Sequence, residues 1–261
     1  MTDALKATLR SEKAGKKTDH HLAFEPSQRR IRVIFNGKTV ADTLRAGLML
    51  ETGYMPVYYF PREDVRMDLL ERSNHRTHCP YKGDASYWTL KLGGRSAENA
   101  AWGYEEPLPE MAAIKGQIAF YWDRVDHWFE EDEEVLGHAS NPHHRVDVRP
   151  SSRVVRVVLG GQVLARTHRA LFLFETGLPT RYYIPREDVR MDLLTPSPKQ
   201  SICPYKGQAS YWSAHLGDRL VKEVAWTYAN PLPECPRIKD HLCFYPEKVD
   251  QLDVEGEDQP H

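Results

Sequence analysis

The chain has 261 residues, of which 41% are hydrophobic and 28% are charged, and its formal net charge is −2. This composition is typical of a soluble globular protein and argues against a fibre or a disordered chain. Because proteins that bind nucleic acids usually carry a basic excess, the near-zero charge predicts that nucleic acid is not a partner. No stretch is apolar enough to be a signal peptide or a membrane span, so we expect a cytoplasmic protein without membrane contact.

Two sequence blocks occur twice and divide the chain. PREDVRMDLL occupies residues 61–70 and 185–194, and CPYKG occupies residues 79–83 and 203–207. Equivalent positions lie a constant 124 residues apart, as Glu51 and Glu175 do, so a whole folding unit has been duplicated without insertion or deletion. Each copy, of about 100 residues, is long enough to bury its own core.

The repeat gives a domain prediction in five parts. We predict a disordered N-terminal arm over 1–28, a first repeat domain over 29–127, an acidic linker over 128–152, a second repeat domain over 153–252 and a disordered tail over 253–261. The arm and the linker each contain two adjacent histidines, His20-His21 and His143-His144. In segments expected to lack regular structure, we predict no metal site at either pair.

In chain order, each domain begins with a predicted β-hairpin. Asn36-Gly37 separates two β-prone runs in the first copy, and Gly160-Gly161 does so in the second. A short strand is favoured over 45–51 and 169–175, and residues 57–60 and 181–184 predict another strand. The PRED tetrapeptide that follows predicts one helical turn, because proline suits the first helical position and acids favour the N-terminus.

The second half of each copy also predicts mainly strands. Residues 71–78 and 195–202 are unalike and polar, so we interpret them as spacers. Strands are predicted over 85–88, 99–104 and 117–121 and at the equivalent positions of the second copy, with a brief helix at the PLPE motif. The predicted fold class is therefore mainly β, or β-rich α+β: two tandem compact antiparallel domains with short helical turns.

The repeated blocks keep their polar residues, which packing alone does not require. One interpretation is a set of structural ion pairs, for which the candidates are Arg62, Arg66, Asp68, Arg186, Arg190 and Asp192. The other is a pocket for a small polar or anionic ligand between the PREDV turn and the CPYKG loop, since charged groups among aromatic walls suit such a site. Its candidate residues are Asp64, Tyr81, Lys82, Tyr87, Trp88, Asp188, Tyr205, Lys206, Tyr211 and Trp212.

Catalytic roles are open alternatives for the cysteines and for the acids. Cys79 lies three residues before Lys82, and a neighbouring ammonium group stabilises a thiolate, so Cys79 and Cys203 are candidate nucleophiles. We find no histidine that is repeated between the copies to serve as their base, which favours buried, inert thiols. Asp64 with Asp68, and Asp188 in the second copy, are the candidates for a Mg²⁺-dependent reaction.

Several motifs together closely resemble one bacterial family. E-T-G, Y-Y-x-P-R-E-D-V, C-P-Y-K-G-x-A-x-Y-W, W-x-Y and P-L-P-E resemble the family called domain of unknown function 427, over about residues 30–126 and 153–250. The resemblance implies a tent-like β fold related to methionine sulfoxide reductase B and to zinc-binding chaperones of small GTPases. Those relatives bind zinc through paired C-x-x-C motifs, which this sequence lacks, so we expect no metal and no cofactor.

Three functional hypotheses follow from the sequence. The leading one is that each domain binds a small polar or anionic molecule whose identity the sequence does not give. The second is an enzyme, either a nucleotidyltransferase, as a second name of the resembled family suggests, or a cysteine-dependent catalyst. The third is a structural or protein-interaction module. In each case we expect the two repeats to pack against one another within the chain.

Overall fold

The computed structural model describes residues 20–256, which form two compact units, 20–141 and 142–256. The first unit contains strands β1 (Leu22–Pro26), β2 (Ile31–Phe35), β3 (Lys38–Thr43), β4 (Gly47–Glu51), β5 (Val57–Pro61), β6 (Leu70–Cys79), β7 (Gly83–Leu92), β8 (Arg95–Gly103), β9 (Gln117–Phe120), β10 (His127–Glu130) and β11 (Glu133–Glu134). The second contains β12 (Val146–Pro150), β13 (Val155–Leu159), β14 (Gln162–Thr167), β15 (Leu171–Glu175), β16 (Arg181–Pro185), β17 (Leu194–Cys203), β18 (Gly207–Leu216), β19 (Arg219–Thr227), β20 (His241–Phe244) and β21 (Gln251–Val254).

Each unit consists of one large and one small sheet, both antiparallel. The large sheet has seven strands, in the order β1-β4-β5-β9-β8-β7-β6 and, in the second unit, β12-β15-β16-β20-β19-β18-β17. The small sheets are β11-β10-β2-β3 and β14-β13-β21. The only helical elements of the described residues are short 3₁₀ turns: Arg62–Asp64, Met67–Leu69, Pro109–Ile114, Trp122–Arg124, Arg186–Asp188, Met191–Leu193, Pro236–Ile238 and Pro246–Lys248. The predicted mainly β fold of two tandem domains is confirmed.

The hairpins form at the turns that the sequence predicts. β2 pairs with β3 across Asn36-Gly37, and β13 pairs with β14 across Gly160-Gly161. All four turn residues have positive φ, between 48° and 73°, which is the left-handed conformation that a tight two-residue hairpin turn requires and that Asn and Gly tolerate best. The predicted turns at the PRED tetrapeptides are also present, at Arg62–Asp64 and Arg186–Asp188.

Both faces of each large sheet bury apolar side chains. One face packs on the small sheet, and in the second unit this core contains Val157, Phe172 and Leu242. The opposite face carries a second, more aromatic cluster that includes Leu173 and Tyr183. Residues 172 and 173 belong to different cores because neighbours in a strand point to opposite faces of the sheet. No helix among residues 20–256 is both long and apolar enough to cross a membrane.

Two segments predicted to lack regular structure are strands. β1 lies within the predicted arm and pairs with β4, while β12 lies within the predicted linker and pairs with β15. Leu22 and Phe24 are both buried, but two apolar residues among polar ones are too short a pattern to predict a strand. The linker region also contains all of β11 and most of β10, and the predicted tail contains the end of β21. Residues 1–19 of the arm and 257–261 of the tail lie outside the described residues.

The predicted spacers are also strands. β6 and β17 each have ten residues and form one edge of the seven-stranded sheet. Most of their side chains are exposed, so the alternating apolar pattern that identifies a strand is missing. Pro196 and Pro198 in β17 are tolerated because an edge strand leaves alternate N–H groups unpaired.

Candidate functional site

The CPYKG block forms a tight turn that directs a lysine into the protein. Between β6 and β7, the Lys82 N–H donates to the carbonyl of Cys79 at 3.3 Å, and Gly83 follows with φ of +98°. The Lys82 carbonyl in turn accepts a 3.1 Å hydrogen bond from the N–H of Leu108, which holds the PLPE segment against the turn. Lys82 is only 8% exposed and its counterpart Lys206 only 7%, which is rare for lysine unless it is paired.

Each buried lysine is paired with the glutamate that ends a strand in the other half of the large sheet. Lys206 Nζ lies 2.6 Å from Glu175 Oε2 at the end of β15, and Lys82 pairs in the same way with Glu51 at the end of β4. All four side chains are at most 12% exposed. A buried charge is tolerated only with such a partner, so lysine and glutamate are needed together.

A histidine completes the cluster in both units. His144 Nε2 lies 3.0 Å from Glu175 Oε1, and His20 Nε2 lies 3.1 Å from Glu51 Oε1. Each imidazole also stacks on the tyrosine of the CPYKG block, with ring centroids 4.3 Å apart at Tyr205 and 4.2 Å apart at Tyr81. We call these four residues, Glu175, Lys206, His144 and Tyr205 with their counterparts Glu51, Lys82, His20 and Tyr81, the Glu–Lys–His cluster.

Sequence reasoning missed the histidine and glutamate of this cluster. His20 and His144 are 124 residues apart, so a histidine does recur, but both lie outside the predicted domain boundaries. The conclusion that no histidine recurs between the copies is therefore wrong. The two histidine pairs themselves lie outside the strands, just before β1 and β12. Extending the constant offset toward the N-terminus would have found the pair.

The Glu175 carboxylate is ionised at neutral pH despite its burial. Desolvation by itself would raise its pKa, but the hydrogen bonds from Lys206 and His144 and the charges of those groups outweigh it. The net result is a pKa for Glu175 below its usual value. The cluster therefore contains a fixed negative charge between a lysine and an imidazole.

In the second unit this cluster borders a cavity on the aromatic face of the large sheet. The cavity has a volume of about 180 Å³ and is lined by Leu173, Glu175, Arg181, Tyr183, Lys206, Tyr211, Trp226, Tyr228 and Tyr245. Trp226 Nε1 donates a 3.1 Å hydrogen bond to the Tyr183 hydroxyl, and the Trp226 and Tyr245 ring centroids are 4.4 Å apart. Burial raises the pKa of Tyr183 and of Tyr228, so these hydroxyls remain protonated and can donate as well as accept hydrogen bonds.

The predicted aromatic walls lie on opposite faces of the sheet. Tyr87 and Tyr211 belong to the aromatic clusters on the cavity side, where their hydroxyls hydrogen-bond to Thr77 and Ser201 at 2.8 Å and 2.7 Å. Trp88 instead belongs to the core between the two sheets, and Trp212 packs against the equivalent core. A single pocket cannot use both members of such a pair, because consecutive strand residues alternate.

The predicted acids of the PREDV turn are held by residues other than the lysines. Asp64 accepts a 2.6 Å hydrogen bond from Thr43 Oγ1 and two from Arg45, and Asp188 has the equivalent bonds to Thr167 and Arg169. Within residues 20–256, no hydrogen bond or ion pair joins Asp64 to Lys82 or Asp188 to Lys206. The aspartates of the PREDV turn and the lysines of the CPYKG loop therefore belong to separate groups of contacts.

The predicted ion pairs of the PREDV block form in part. Arg66 binds Asp68 through two hydrogen bonds of 2.8 Å and 2.7 Å, and Arg190 binds Asp192 in the same way, all at exposed positions. Arg62 and Arg186 differ from the prediction, because their guanidinium groups lie over the rings of Trp88 and Trp212, at 5.5 Å and 4.8 Å from the centroids. They make a cation–π contact there.

The four cysteines fall into two classes. Cys79 and Cys203 are partly buried at the ends of β6 and β17. Cys235 and Cys243 are fully buried, and burial raises their pKa to about 11 and about 12, so both thiols are protonated at neutral pH. Among residues 20–256, no three His, Cys, Asp or Glu side chains are grouped as a metal site would require.

Comparison with known proteins finds one family. The model of a family described as "Domain of unknown function (DUF427)" matches the sequence twice, over residues 23–131 and 147–255. Each match begins three residues after the histidine of the cluster, inside β1 or β12. A comparison with curated proteins finds no match.

Proposed function

Because the chain belongs to the DUF427 family and carries its domain twice, we propose that each domain binds a small polar molecule in the aromatic cavity beside its Glu–Lys–His cluster. Sites for drug-sized ligands have volumes of roughly 300–1,000 Å³. The cavity of the second unit, at about 180 Å³, suits a smaller compound.

The main support for the proposal is that the two repeats have nearly the same residue types at the positions that line the cavity. Seven of the nine lining residues of the second unit have the same residue type at the equivalent positions of the first, which are Glu51, Tyr59, Lys82, Tyr87, Trp102, Tyr104 and Tyr121. At other core positions the two repeats often have different residues, as at the equivalent positions Phe24 and Val148. Packing alone would tolerate the same freedom here, because swaps of similar volume have little effect on stability.

The lining has the groups that recognise a polar molecule. Lys206 has three N–H donors, and Glu175 is its one side-chain hydrogen-bond partner among residues 20–256, so donors remain for a ligand in the cavity. Tyrosine hydroxyls add donors and acceptors, and the flat faces of Trp226 and Tyr245 suit a planar group. Such an arrangement of apolar walls with a few convergent polar groups is typical of small-molecule sites.

The test uses the six tryptophans of the full-length chain as local probes. Their indole N–H signals are resolved by ¹H–¹⁵N NMR and assigned with single Trp→Phe variants, and neutral, cationic and anionic compounds smaller than the cavity are titrated. Saturable shifts are expected at Trp226 and Trp102, on the cavity face, and not at Trp212 and Trp88 between the sheets.

A matched pair of double variants provides the control. Lys206→Met with Glu175→Leu should abolish the shift at Trp226 only, and Lys82→Met with Glu51→Leu should abolish that at Trp102 only. Both variants should fold, since a buried ion pair replaced by apolar side chains of similar size is often neutral for stability. The proposal is wrong if no compound shifts either cavity signal, or if the double variants bind as the wild type does.

A further inference from the structure

We infer that the two domains take ligands of different charge: the cavity of the second unit binds a small carboxylate, and the equivalent residues of the first unit bind an uncharged molecule. This inference rests on the proposed function and adds the class of ligand. It comes from the two lining positions at which the repeats differ. One exchanges Leu173 for Met49, which are similar in size and charge, and the other exchanges Arg181 for Val57.

Arg181 gives the second cavity an excess positive charge. It is half-buried in β16, lines the cavity, and has its guanidinium carbon 5.6 Å from the centroid of Trp226. No carboxylate of residues 20–256 forms an ion pair with it. The other charged residues of the lining, Glu175 and Lys206, pair with one another, so Arg181 is the cation that is left to balance an anion.

The ligand that best suits this arginine and its surroundings is a carboxylate attached to a flat group. A guanidinium stacked on an indole keeps its N–H edge available, and its planar fork matches the two oxygens of a carboxylate. The faces of Trp226, Tyr183 and Tyr245 suit a flat body attached to that carboxylate. The small cavity volume limits this body to a compact group, such as a single ring.

The first unit has no cation at the position equivalent to Arg181, which is occupied by Val57. Val57 is partly buried against the aromatic cluster of the first unit, and Glu51 and Lys82 are already paired. A carboxylate bound among these residues would lose its hydration without gaining a counter-charge, which strongly disfavours binding. An uncharged molecule of the same shape avoids this loss.

The inference is tested with benzoate and benzamide, which have nearly the same shape and differ in charge. Each is titrated into the full-length protein while the indole signals of Trp226 and Trp102 are followed separately. At Trp226, benzoate should bind about tenfold or more tightly than benzamide, as expected for a charge-assisted hydrogen bond. At Trp102, benzamide should bind at least as well as benzoate.

The repeat itself supplies the variants. Arg181→Val introduces the residue of the first copy and should remove the benzoate preference at Trp226, while Val57→Arg should create that preference at Trp102. Arg181→Gln keeps a polar side chain without the charge and should behave like Arg181→Val. Unchanged signals of Trp88, Trp122, Trp128 and Trp212, which lie away from the substituted residues, verify in the ligand-free variants that the fold is retained.

Three results would overturn the inference. They are equal charge preference at the two tryptophans, a benzoate preference that survives Arg181→Val and Arg181→Gln, and the absence of any saturable benzoate shift at Trp226. If other compounds of the panel still shift Trp226 and Trp102, only the inference on charge fails. If no compound shifts either signal, the proposed binding function fails as well.

Discussion

Removing Lys206 should destabilise the second unit by leaving the Glu175 carboxylate buried without its lysine. In the folded protein these side chains are 9% and 8% exposed, and their polar atoms are 2.6 Å apart. Breaking a buried ion pair by deleting one partner lowers the free energy of unfolding by about 3–5 kcal/mol. His144 still bonds the other carboxylate oxygen, so we expect Lys206→Met to lie at the lower end, about 3 kcal/mol.

The assay is urea unfolding of the full-length chain followed at the resolved indole signals. Trp212 and Trp226 report the second unit, and the other four tryptophans report the first, so each unit is measured without assuming that the whole chain unfolds in one step. In a thermal scan the same loss corresponds to a decrease of about 10 °C in the Tm of a unit of this size.

Two controls separate burial from the mere loss of an ion pair. Lys115→Met removes an exposed pair with Glu106, whose side chains are 57% and 85% exposed, and should lower the free energy of unfolding by less than about 1 kcal/mol. Lys206→Met combined with Glu175→Leu should lie within about 1 kcal/mol of the wild type. The reasoning is refuted if Lys206→Met has no larger effect than Lys115→Met, or if the double variant is the less stable of the two Lys206 variants.

Three further predictions concern acid stability, packing and thiol accessibility. The pKa of Glu175 in the folded protein is below its ordinary value of 4.5, so ionisation of Glu175 stabilises the fold above that pH. This contribution is lost as the pH falls through the folded-state pKa. In urea unfolding, Glu175→Gln should therefore lower the free energy of unfolding at pH 7 and lower it much less at pH 3. A Cβ on Gly47 would overlap the ring of Phe24, so Gly47→Leu should lower the free energy of unfolding by about 1–3 kcal/mol. Adding Phe24→Val, which gives the first repeat the Leu171 and Val148 pair of the second, should recover most of this loss. Additive effects of the two substitutions in a double-mutant cycle would contradict this. In the native protein, iodoacetamide should modify the cysteines of the two CPYKG blocks before Cys235 and Cys243, and mass spectrometry of the labelled peptides would reveal the opposite order.

The sequence correctly predicted the elements whose causes are local. Asn36-Gly37 and Gly160-Gly161 mark their hairpins because only a few residue types adopt the left-handed turn conformation. The PRED turns follow from the fixed φ of proline. The duplication is visible because the spacing of the copies is constant, and the mainly β class follows from the strand-forming runs between turns.

Segments whose structure depends on a distant partner were not predicted. β1 and β12 have only five residues each and contain few large apolar side chains, and each is a strand only because β4 or β15 supplies the hydrogen-bonding edge. β6 and β17 lie at the other edge of their sheets, where exposure removes the alternating pattern. Local sequence preferences cannot reveal such pairing, because its stability comes from contacts far along the chain.

The candidate site divides in the same way. The repeated CPYKG block identified Lys82 and Lys206 as unusual, since charged residues conserved between copies need a reason beyond packing. Only the folded chain brings Glu175 into contact with both Lys206 and His144, each of which is 31 residues away along the sequence. The same fold places Trp212 and Asp188 away from this cluster. Strand pairing decides which side chains meet and on which face of the sheet, and neither is encoded in the distance between residues along the sequence.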